Sequence, residues 1–222
     1  MISGTIDTIA WLSIAVCVIC ALIIAADVIR HPQMMAVMNV VWPATALYSG
    51  PLALIAYYTL GRSPNGRQDH HAASPMWQSV LKGALHCGSG CTLGDIAAAG
   101  FLLAVPLTLW GSKLAADWTV EYVAAFVLGI IFQYYAIKPM KQQLTSGQAL
   151  VAALKADALS LTCWQVGMYG WMAISNFLIF HQLLKASQPI FWLMMQIGML
   201  CGLLTAYPVN WWLIKKGIKE TM

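Results

Sequence analysis

Charged residues are scarce in this sequence of 222 residues, since Asp, Glu, Lys and Arg together make up only 9% of it. Soluble domains contain about 25% charged and about 45–50% apolar residues. This chain is 60% hydrophobic and has a mean hydropathy of +0.70. A water-soluble fold of this length cannot bury so much apolar surface. The composition therefore excludes a soluble protein and predicts an integral membrane protein whose main partner is the lipid bilayer.

Several functional motifs are also lacking. No glycine-rich phosphate loop of the Walker type is present, which argues against an ATP-driven pump. The net charge of +4 is divided among short loops, which indicates membrane topology rather than nucleic-acid binding. None of the six cysteines falls in a predicted outer loop, so a framework of disulfides is not expected.

Six apolar windows are each long enough to cross a bilayer as a helix, which takes about 20 residues. They cover 8–29, 36–60, 84–110, 119–137, 158–180 and 190–213. The sequence therefore predicts an all-α, polytopic transmembrane helical bundle of about six spans in a single integral membrane domain, 1–222. With an even number of spans both termini share a side, and nine of the 12 Lys and Arg residues lie there. Because cytoplasmic loops are enriched in these residues, both termini are expected in the cytoplasm.

Two pairs of short segments resemble each other and indicate an internal repeat, which is a common plan of membrane transporters. Residues 42–48 (WPATALY) match 207–213 (YPVNWWL), and residues 82–94 (KGALHCGSGCTLG) match 155–167 (KADALSLTCWQVG). The span around 82–94 is also longer than a bilayer requires. Its helix is therefore expected to protrude into the cytoplasm or to break near Gly88–Gly90.

The segment HCGSGCTLGD, residues 86–95, places ionisable side chains and thiols inside an apolar span. On a helix, Cys87, Cys91 and Asp95 follow one another at intervals of four residues on one face. His86 lies on the same turn and can lean towards that face. Two thiols, an imidazole and a carboxylate suit a soft metal ion such as Cu(I), or Zn(II). The segment is therefore a candidate metal site.

Other residues extend this candidate site. Cys163 is a third candidate thiol, because the second sequence match places it near Gly90. Asp95 is expected to balance charge or carry a proton, and Lys82 and Asp157 are candidates for the same relay near the cytoplasmic end. Methionine pairs four residues apart, Met34/Met38, Met168/Met172 and Met195/Met199, supply uncharged soft ligands. The predicted metal ligands are His86, Cys87, Cys91 and Cys163.

Close helix packing is the competing explanation of the same segment. Gly83, Cys87, Gly90 and Gly94 form a stripe of small residues, which lets membrane helices approach closely. Cysteine packs in such a stripe as a small apolar residue. Ionisable residues at membrane depth favour a functional role instead, so both interpretations stay open at this point.

Three segments together resemble a widespread bacterial family of integral-membrane proteins of unknown function with an H-C-x-x-G-C-x-L-G-D core. They are HCGSGCTLGD (86–95), WPATALY (42–48) and YPVNWWLIKKGIKETM (207–222). The resemblance covers most of the chain and implies a multi-pass protein of the bacterial inner (plasma) membrane. It names no activity, so the functional prediction rests on the residues themselves.

The leading functional prediction is an inner-membrane protein that binds and transports a soft metal ion, with Cu(I) favoured and copper the expected ligand. One alternative is a membrane thiol–disulfide oxidoreductase, or an oxidoreductase linked to quinone or haem. The other is a transporter or channel for a small solute. A protein that is not an enzyme is favoured over an enzyme. The expected partners are the bilayer and a metal ion or small solute, with no nucleic acid, and spans rich in Gly and Ala permit a homo-oligomer.

Overall fold

The computed structural model describes residues 2–33, 35–62, 75–141 and 143–219. Every named element in this part of the chain is helical, so the predicted all-α helical bundle is confirmed. Two π-helical turns, Tyr57–Gly61 and Ser175–Ile179, continue the third and the sixth helix. The helices are α1 (Ile2–Arg30), α2 (Met38–Ser49), α3 (Pro51–Ala56), α4 (Met76–Ala104), α5 (Lys113–Met140), α6 (Ser146–Ile174) and α7 (Pro189–Lys215).

Five helices, α1, α4, α5, α6 and α7, are long and apolar enough to cross a membrane. The most apolar stretch of α1 has a mean hydropathy of 2.8 and is 28% buried inside the protein. The corresponding stretch of α4 has a mean hydropathy of 1.4 and is 61% buried. Helix α1 therefore lies at the lipid-facing edge of the bundle, whereas α4 lies at its centre and carries polar side chains.

The predicted second span, residues 36–60, folds as a helical hairpin. Helices α2 and α3 meet at Gly50, whose φ of 49° favours glycine. An added Cβ at Gly50 would lie 3.0 Å from the Sγ atom of Cys17, halfway along α1. Near the open end of the hairpin, the rings of Trp42 and Tyr57 pack edge to face with centroids 5.6 Å apart. A Cβ at Gly61 would also overlap the ring of Trp42, so the first half of α2 and the whole π-helical turn lie side by side.

The open end of this hairpin is tied to the C-terminal end of α1. The Oδ2 atom of Asp27 accepts hydrogen bonds from the Tyr57 hydroxyl at 2.7 Å and from Nε of Arg62 at 3.0 Å. Since the tip contacts the middle of α1 and both ends lie near its C-terminus, the hairpin enters and leaves the bundle at one end. The chain thus crosses five times instead of about six, because Gly50 turns the second apolar window back.

Five crossings place the first and the last described residues, Ile2 and Lys219, at opposite ends of the bundle. The prediction that both termini share a side is therefore wrong, because it counted the hairpin as a span. The C-terminal part of α7 lies beside the start of α4, where the Tyr207 hydroxyl donates to the Trp77 carbonyl oxygen at 3.5 Å. We call this end the basic end, because nine of the 11 described Lys and Arg residues lie towards it. The other two, Lys113 and Lys185, lie at the opposite end.

The crossing helices form two antiparallel pairs, α4 with α5 and α6 with α7. Helices α4 and α6 run in the same direction, because Cys87 lies beside Ser160 at 3.0 Å and Asp95 lies beside Gln165 at 3.4 Å. This arrangement agrees with the second of the two sequence matches. The two segments of the first match lie in α2 and α7, which run in opposite directions, so the structure does not place them in the same way.

Helix α4 continues without interruption through Gly88–Gly90, so the break predicted there is wrong. The glycines of this helix instead allow close neighbours. A Cβ at Gly90 would lie 2.7 Å from the Cα of Gly129, and one at Gly94 would overlap the backbone of Ala125, both in α5. A Cβ at Gly88 would overlap the ring of Trp164 in α6. The glycines of the segment 86–95 therefore serve close helix packing, as the competing explanation predicts.

Candidate functional site

Buried polar side chains follow one another along the interface between α4 and α6. Cys87, Cys91 and Asp95 line one face of α4, as their spacing predicts, and none of them is more than 1% exposed. Side chains from α5, α6, α7 and the residues after α7 complete the array. We call it the polar column, and its members are Glu121, Asp95, Gln165, Cys91, Cys87, Ser160, Asp157, Asn210 and Lys219.

At the basic end, the polar column contains a buried ion pair. The Nζ atom of Lys219 lies 2.6 Å from Oδ1 of Asp157, 3.1 Å from Sγ of Cys87 and 3.3 Å from the carbonyl oxygen of Gly83. The Cys87 thiol donates to the same Asp157 oxygen at 2.6 Å. Lys219 is 2% exposed and Asp157 is fully buried. The thiol, the carboxylate and the ammonium group thus form one cluster that is closed to solvent.

Lys219 reaches this cluster from the short segment after α7. Gly217, with a φ of 68°, reverses the chain there, and the backbone N–H groups of Ile218 and Lys219 donate to the Leu213 carbonyl oxygen at 3.0 and 3.3 Å. The turn directs the Lys219 side chain back into the bundle. Burial by itself lowers the pKa of this ammonium group, but the Asp157 carboxylate and the Cys87 sulfur outweigh that effect and raise the pKa above its ordinary value. This direction agrees with the ion pair that Lys219 forms with Asp157 at 2.6 Å.

Two oxygen atoms beside the ion pair accept no hydrogen bond from any described residue. Asn210 donates its Nδ2 hydrogen to Ser160 Oγ at 2.6 Å, and Ser160 Oγ lies 3.0 Å from Cys87 Sγ. Asn210 Oδ1 and Asp157 Oδ2 are buried and have no hydrogen-bond partner among the described residues. Because buried polar atoms are nearly always paired, these two oxygens indicate unused binding capacity in the cluster.

A second group of buried acidic residues lies nearer the opposite end. Asp95 is 1% exposed and Glu121 is 5% exposed, and their carboxyl groups are close enough to interact electrostatically. Asp95 Oδ1 accepts a long hydrogen bond of 3.4 Å from Gln165, whereas Asp95 Oδ2 has no partner in the described part of the chain. No lysine or arginine of that part forms an ion pair with either carboxyl group. This pair is therefore available to protons or to a cation.

Two cavities give access to this acidic pair. One, of about 190 Å³, opens at the end opposite the basic end, and its polar lining consists of Glu121, Asp117, Asn176 and two lysines, Lys113 and Lys185. The other, of about 140 Å³, is lined by Asp95 and by methionine and aromatic side chains. Met195 lines both cavities. The acidic pair thus lies between the two cavities, whereas the ion pair at the basic end is closed.

The four predicted metal ligands do not converge. Cys87 and Cys91 face the polar column, but His86 faces α5, and both of its ring nitrogens lack a hydrogen-bond partner among the described residues. Cys163 is only partly buried and lies about 120° around α6 from Asp157 by helical spacing. Within the described ranges, no three His, Cys, Asp or Glu side chains are grouped so as to hold a metal ion.

The predicted relay residues are arranged differently from the prediction. Asp95 and Asp157 both lie in the polar column. Asp157 lies with Lys219 towards the basic end, and Asp95 lies with Glu121 towards the opposite end; we call these two positions the acidic levels. Lys82 does not pair with Asp157, because Lys219 takes that position at 2.6 Å. The Lys82 side chain is mostly buried on the first turns of α4 but makes none of the ion pairs found among the described residues.

Two of the three predicted methionine pairs lie in the core of the bundle. Trp164, which fills the space opposite Gly88, donates its indole N–H to Sδ of Met199 at 3.2 Å. The third pair includes Met34, which lies outside the described residues. The buried methionines are Met168, Met172, Met195 and Met199.

Among the ionisable residues of the polar column, sequence reasoning missed two, Glu121 and Lys219. Glu121 is the one acidic residue in the apolar window 119–137, a signal that identifies it as an ionisable group at membrane depth. Lys219 was counted only as a charge that determines topology. Gly217 after the last span permits a chain reversal, but nothing in the sequence shows where such a reversal directs the lysine.

The helical bundle and its buried ionisable column define a polytopic membrane protein. Residues 76–219 match the family described as a domain of unknown function (DUF4396), and the chain belongs to this family. The match extends from the start of α4 to Lys219 and so contains every residue of the polar column, whereas α1 and the hairpin precede it. Comparisons with curated proteins and with solved structures find no match.

Proposed function

We propose that this protein is a membrane transporter for a small cation and that its favoured cargo is a soft metal ion, Cu(I) first. The observation that carries the proposal is the polar column. It places carboxyl groups and thiols at successive levels between two cavities and the basic end of the bundle. Ionisable side chains inside a membrane protein mark ion pathways and proton relays.

The balance of charge in the polar column favours a cation over an anion. Asp95, Glu121 and Asp157 contribute three carboxyl groups, whereas Lys219 is the one cationic side chain in the column. Burying a carboxylate without a counter-charge is costly, and a proton or a bound cation removes that cost. Movement of a cation along the column is thereby coupled to release of protons from the same carboxyl groups.

The sulfur atoms of the column favour a soft cation. The thiol of Cys87 lies at the Asp157 level, Cys91 lies one helical turn nearer to Asp95, and Met195 and Met199 line the cavity beside Asp95. Sulfur ligands select Cu(I) over hard cations such as Mg²⁺. Since no group of three ligands exists in the described residues, a metal ion would bind weakly at each level, which suits passage rather than storage. The oxidoreductase alternative has less support, because both thiols are inaccessible to a soluble redox partner.

The orientation that we propose follows from the basic end. Cytoplasmic loops are enriched in Lys and Arg, so the basic end and the C-terminal segment face the cytoplasm, and the first turn of α1 faces the other side. The resemblance of HCGSGCTLGD (86–95) to a bacterial family supports a location in the bacterial inner membrane. The cavity lined by Glu121 then opens towards the outside.

Uptake into liposomes tests this proposal. Purified protein is reconstituted, and uptake of Cu(I), kept reduced with ascorbate, is compared with uptake of Zn(II), Na⁺ and K⁺. The double variant Cys87→Ser/Cys91→Ser should lower Cu(I) uptake at least about tenfold, because hard oxygen replaces soft sulfur at two levels. The matched control is Cys17→Ser/Cys20→Ser in α1, which removes two buried thiols outside the column and should leave uptake unchanged.

Two results would contradict the proposal. If the Cys87→Ser/Cys91→Ser variant takes up Cu(I) as fast as the original protein, the cargo is not selected by the thiols. If the original protein takes up none of the four cations above the rate of empty liposomes, it is not a cation transporter.

A further inference from the structure

We propose that Asp157, Cys87 and the Gly83 carbonyl group form a binding site for a small cation, and that the chain's own Lys219 ammonium group fills it as a displaceable plug. The inference rests on the proposed function for its role in transport. The site itself is argued from the contacts around Lys219.

The site has the donor–acceptor balance of a cation site. An ammonium group carries three N–H donors, and three acceptors surround Lys219 Nζ, namely Asp157 Oδ1 at 2.6 Å, Cys87 Sγ at 3.1 Å and Gly83 O at 3.3 Å. Asp157 Oδ2 and Asn210 Oδ1 are two further buried oxygens without a partner among the described residues. The cluster therefore offers more acceptors than its lysine uses, as expected of a site that also holds a cation with more ligands.

The plug and its site differ in how firmly they are held. Asp157 and Cys87 lie within long helices at the centre of the bundle, where their positions are fixed. Lys219 follows three exposed residues, Lys216, Gly217 and Ile218, so the segment that carries it has little contact with the core. Segments with few buried contacts open at low free-energy cost. The buried contacts of Lys219 itself therefore provide most of the resistance to local opening of this segment, and a cation that takes over the same acceptors replaces those contacts, whereas the acceptors stay in place.

The position of Lys219 determines what this site does. With the ammonium group in place, Asp157 is neutralised and Cys87 is covered at the basic end. A cation that arrives along the polar column competes with Lys219 for the same acceptors. Its binding releases the lysine to solvent, and the basic end opens. The C-terminal segment thus acts as a gate that responds to the occupancy of the site.

Access to the Cys87 thiol tests the plug without any transport measurement. The purified protein is treated with aminoethyl methanethiosulfonate, a small cationic thiol reagent, and mass spectrometry locates the labelled cysteines. Lys219→Gln should raise the labelling rate of Cys87 about a hundredfold, because removing one partner of a buried ion pair leaves the other unpaired and favours entry of water. The matched control is Lys216→Gln, which removes an exposed lysine of the same segment and should leave the rate unchanged. Labelling of Cys20, in the core contact between α1 and the hairpin, reports general unfolding.

A second pair of measurements keeps the test decisive if Lys219→Gln folds poorly. The double variant Lys219→Gln/Asp157→Asn removes both charges, which is tolerated better than removing one, and Cys87 should again be labelled while Cys20 is not. In Lys219→Ala, added ethylammonium should restore protection of Cys87, whereas ethanol should not. The plug is disproved if Cys87 stays protected in both the double variant and Lys219→Ala. The cation site is disproved if ethylammonium gives no protection.

The labelling and uptake experiments test the two proposals separately, so either proposal can be wrong while the other stands. If the liposomes take up no cation but Cys87 labelling responds as expected, the proposed function is wrong and the cation site stands. If uptake occurs in the original protein but Lys219 variants neither change it nor expose Cys87, the plug is wrong and the proposed function stands.

Discussion

The two acidic levels of the polar column contain the same kind of residue in different surroundings. Asp157 lies 2.6 Å from the ammonium group of Lys219, in a cluster closed to solvent. Asp95 has only the amide of Gln165 at 3.4 Å and shares its level with a second acidic residue, Glu121. Among the described residues, a cation thus forms an ion pair at the Asp157 level, whereas none does so with Asp95 or Glu121.

The interface between α4 and α6 therefore contains two different environments for a carboxyl group. At the basic end, the internal cation keeps the column shut and its carboxylate neutralised. At the other level, cavities of about 190 and 140 Å³ lie beside Asp95 and Glu121, which form none of the described ion pairs, although Lys113 and Lys185 line the larger cavity. The structure therefore combines a level that lies beside cavities with a level that is closed to solvent, which is the asymmetry that the proposed transport function would use.

The largest expected effect on stability comes from removing Lys219, the cation that pairs with Asp157. Lys219→Gln should lower the free energy of unfolding by about 3 kcal/mol, because it leaves the Asp157 carboxylate buried without its partner. Adding Asp157→Asn should restore most of this loss. Thermal unfolding in mild detergent measures both effects. A single variant as stable as the original protein would show that the pair contributes nothing to the closed state.

The next largest effect on stability is expected where α4 packs against α5 near Asp95. Gly94→Ala should destabilise the protein by about 2 kcal/mol, since its Cβ would meet the backbone of Ala125, which cannot move aside. The comparison is Gly83→Ala at the basic end, where the new Cβ would lie at an ordinary contact distance of 3.6 Å from the Lys219 side chain. It should be nearly neutral in the same unfolding measurement. Equal losses would mean that both levels are packed backbone to backbone.

A substitution of Asp95, which has no ion-pair partner among the described residues, should change stability in the opposite direction to Lys219→Gln. Asp95→Asn keeps the shape of the side chain but removes a buried acidic group that has no counter-charge, so stability should rise by about 1 kcal/mol. Cation uptake should fall in the same variant, because the group that receives the cation is lost. If instead Asp95→Asn is as damaging to stability as Lys219→Gln, Asp95 has a structural partner and the contrast between the levels fails.

The smallest effect is expected from the ion pair at the open end of the hairpin, which serves as a reference for the buried one. Arg62 bonds Asp27 at 3.0 Å, but the arginine side chain is 36% exposed. Arg62→Gln should cost only about 0.5 kcal/mol, as is typical of exposed ion pairs, and high salt should reduce the difference. A loss close to that of Lys219→Gln would show that exposure does not explain the contrast.

Much of this fold follows from the composition, whereas the turns do not. Apolar length alone predicted the five crossing helices, and the four-residue spacing of Cys87, Cys91 and Asp95 predicted their common face. An apolar window of 25 residues looks the same whether it crosses the membrane or turns back, so the hairpin was taken for a span. The Gly50–Pro51 step was the local signal of the turn.

The partners of the site were harder to predict than its position. The sequence placed Asp157 near Lys82, but the cation beside it comes from Lys219, 62 residues further along the chain. Which lysine reaches a buried carboxylate depends on how the segment after α7 folds, and periodicity contains no information about that. Cys163 was misplaced for a similar reason, since a match of two segments aligns their levels but not their faces.

The hairpin α2–α3 has a consequence for how the protein enters the membrane. Helix α2 has 12 residues and so measures about 18 Å, against about 30 Å of hydrocarbon. Each arm of the hairpin is therefore too short to cross the hydrocarbon by itself. The hairpin is stable only when its polar turn at Gly50 is covered by protein, because unpaired backbone groups are not tolerated in lipid. We therefore expect biogenesis in two stages, in which the long helices are inserted first and the hairpin docks between them afterwards.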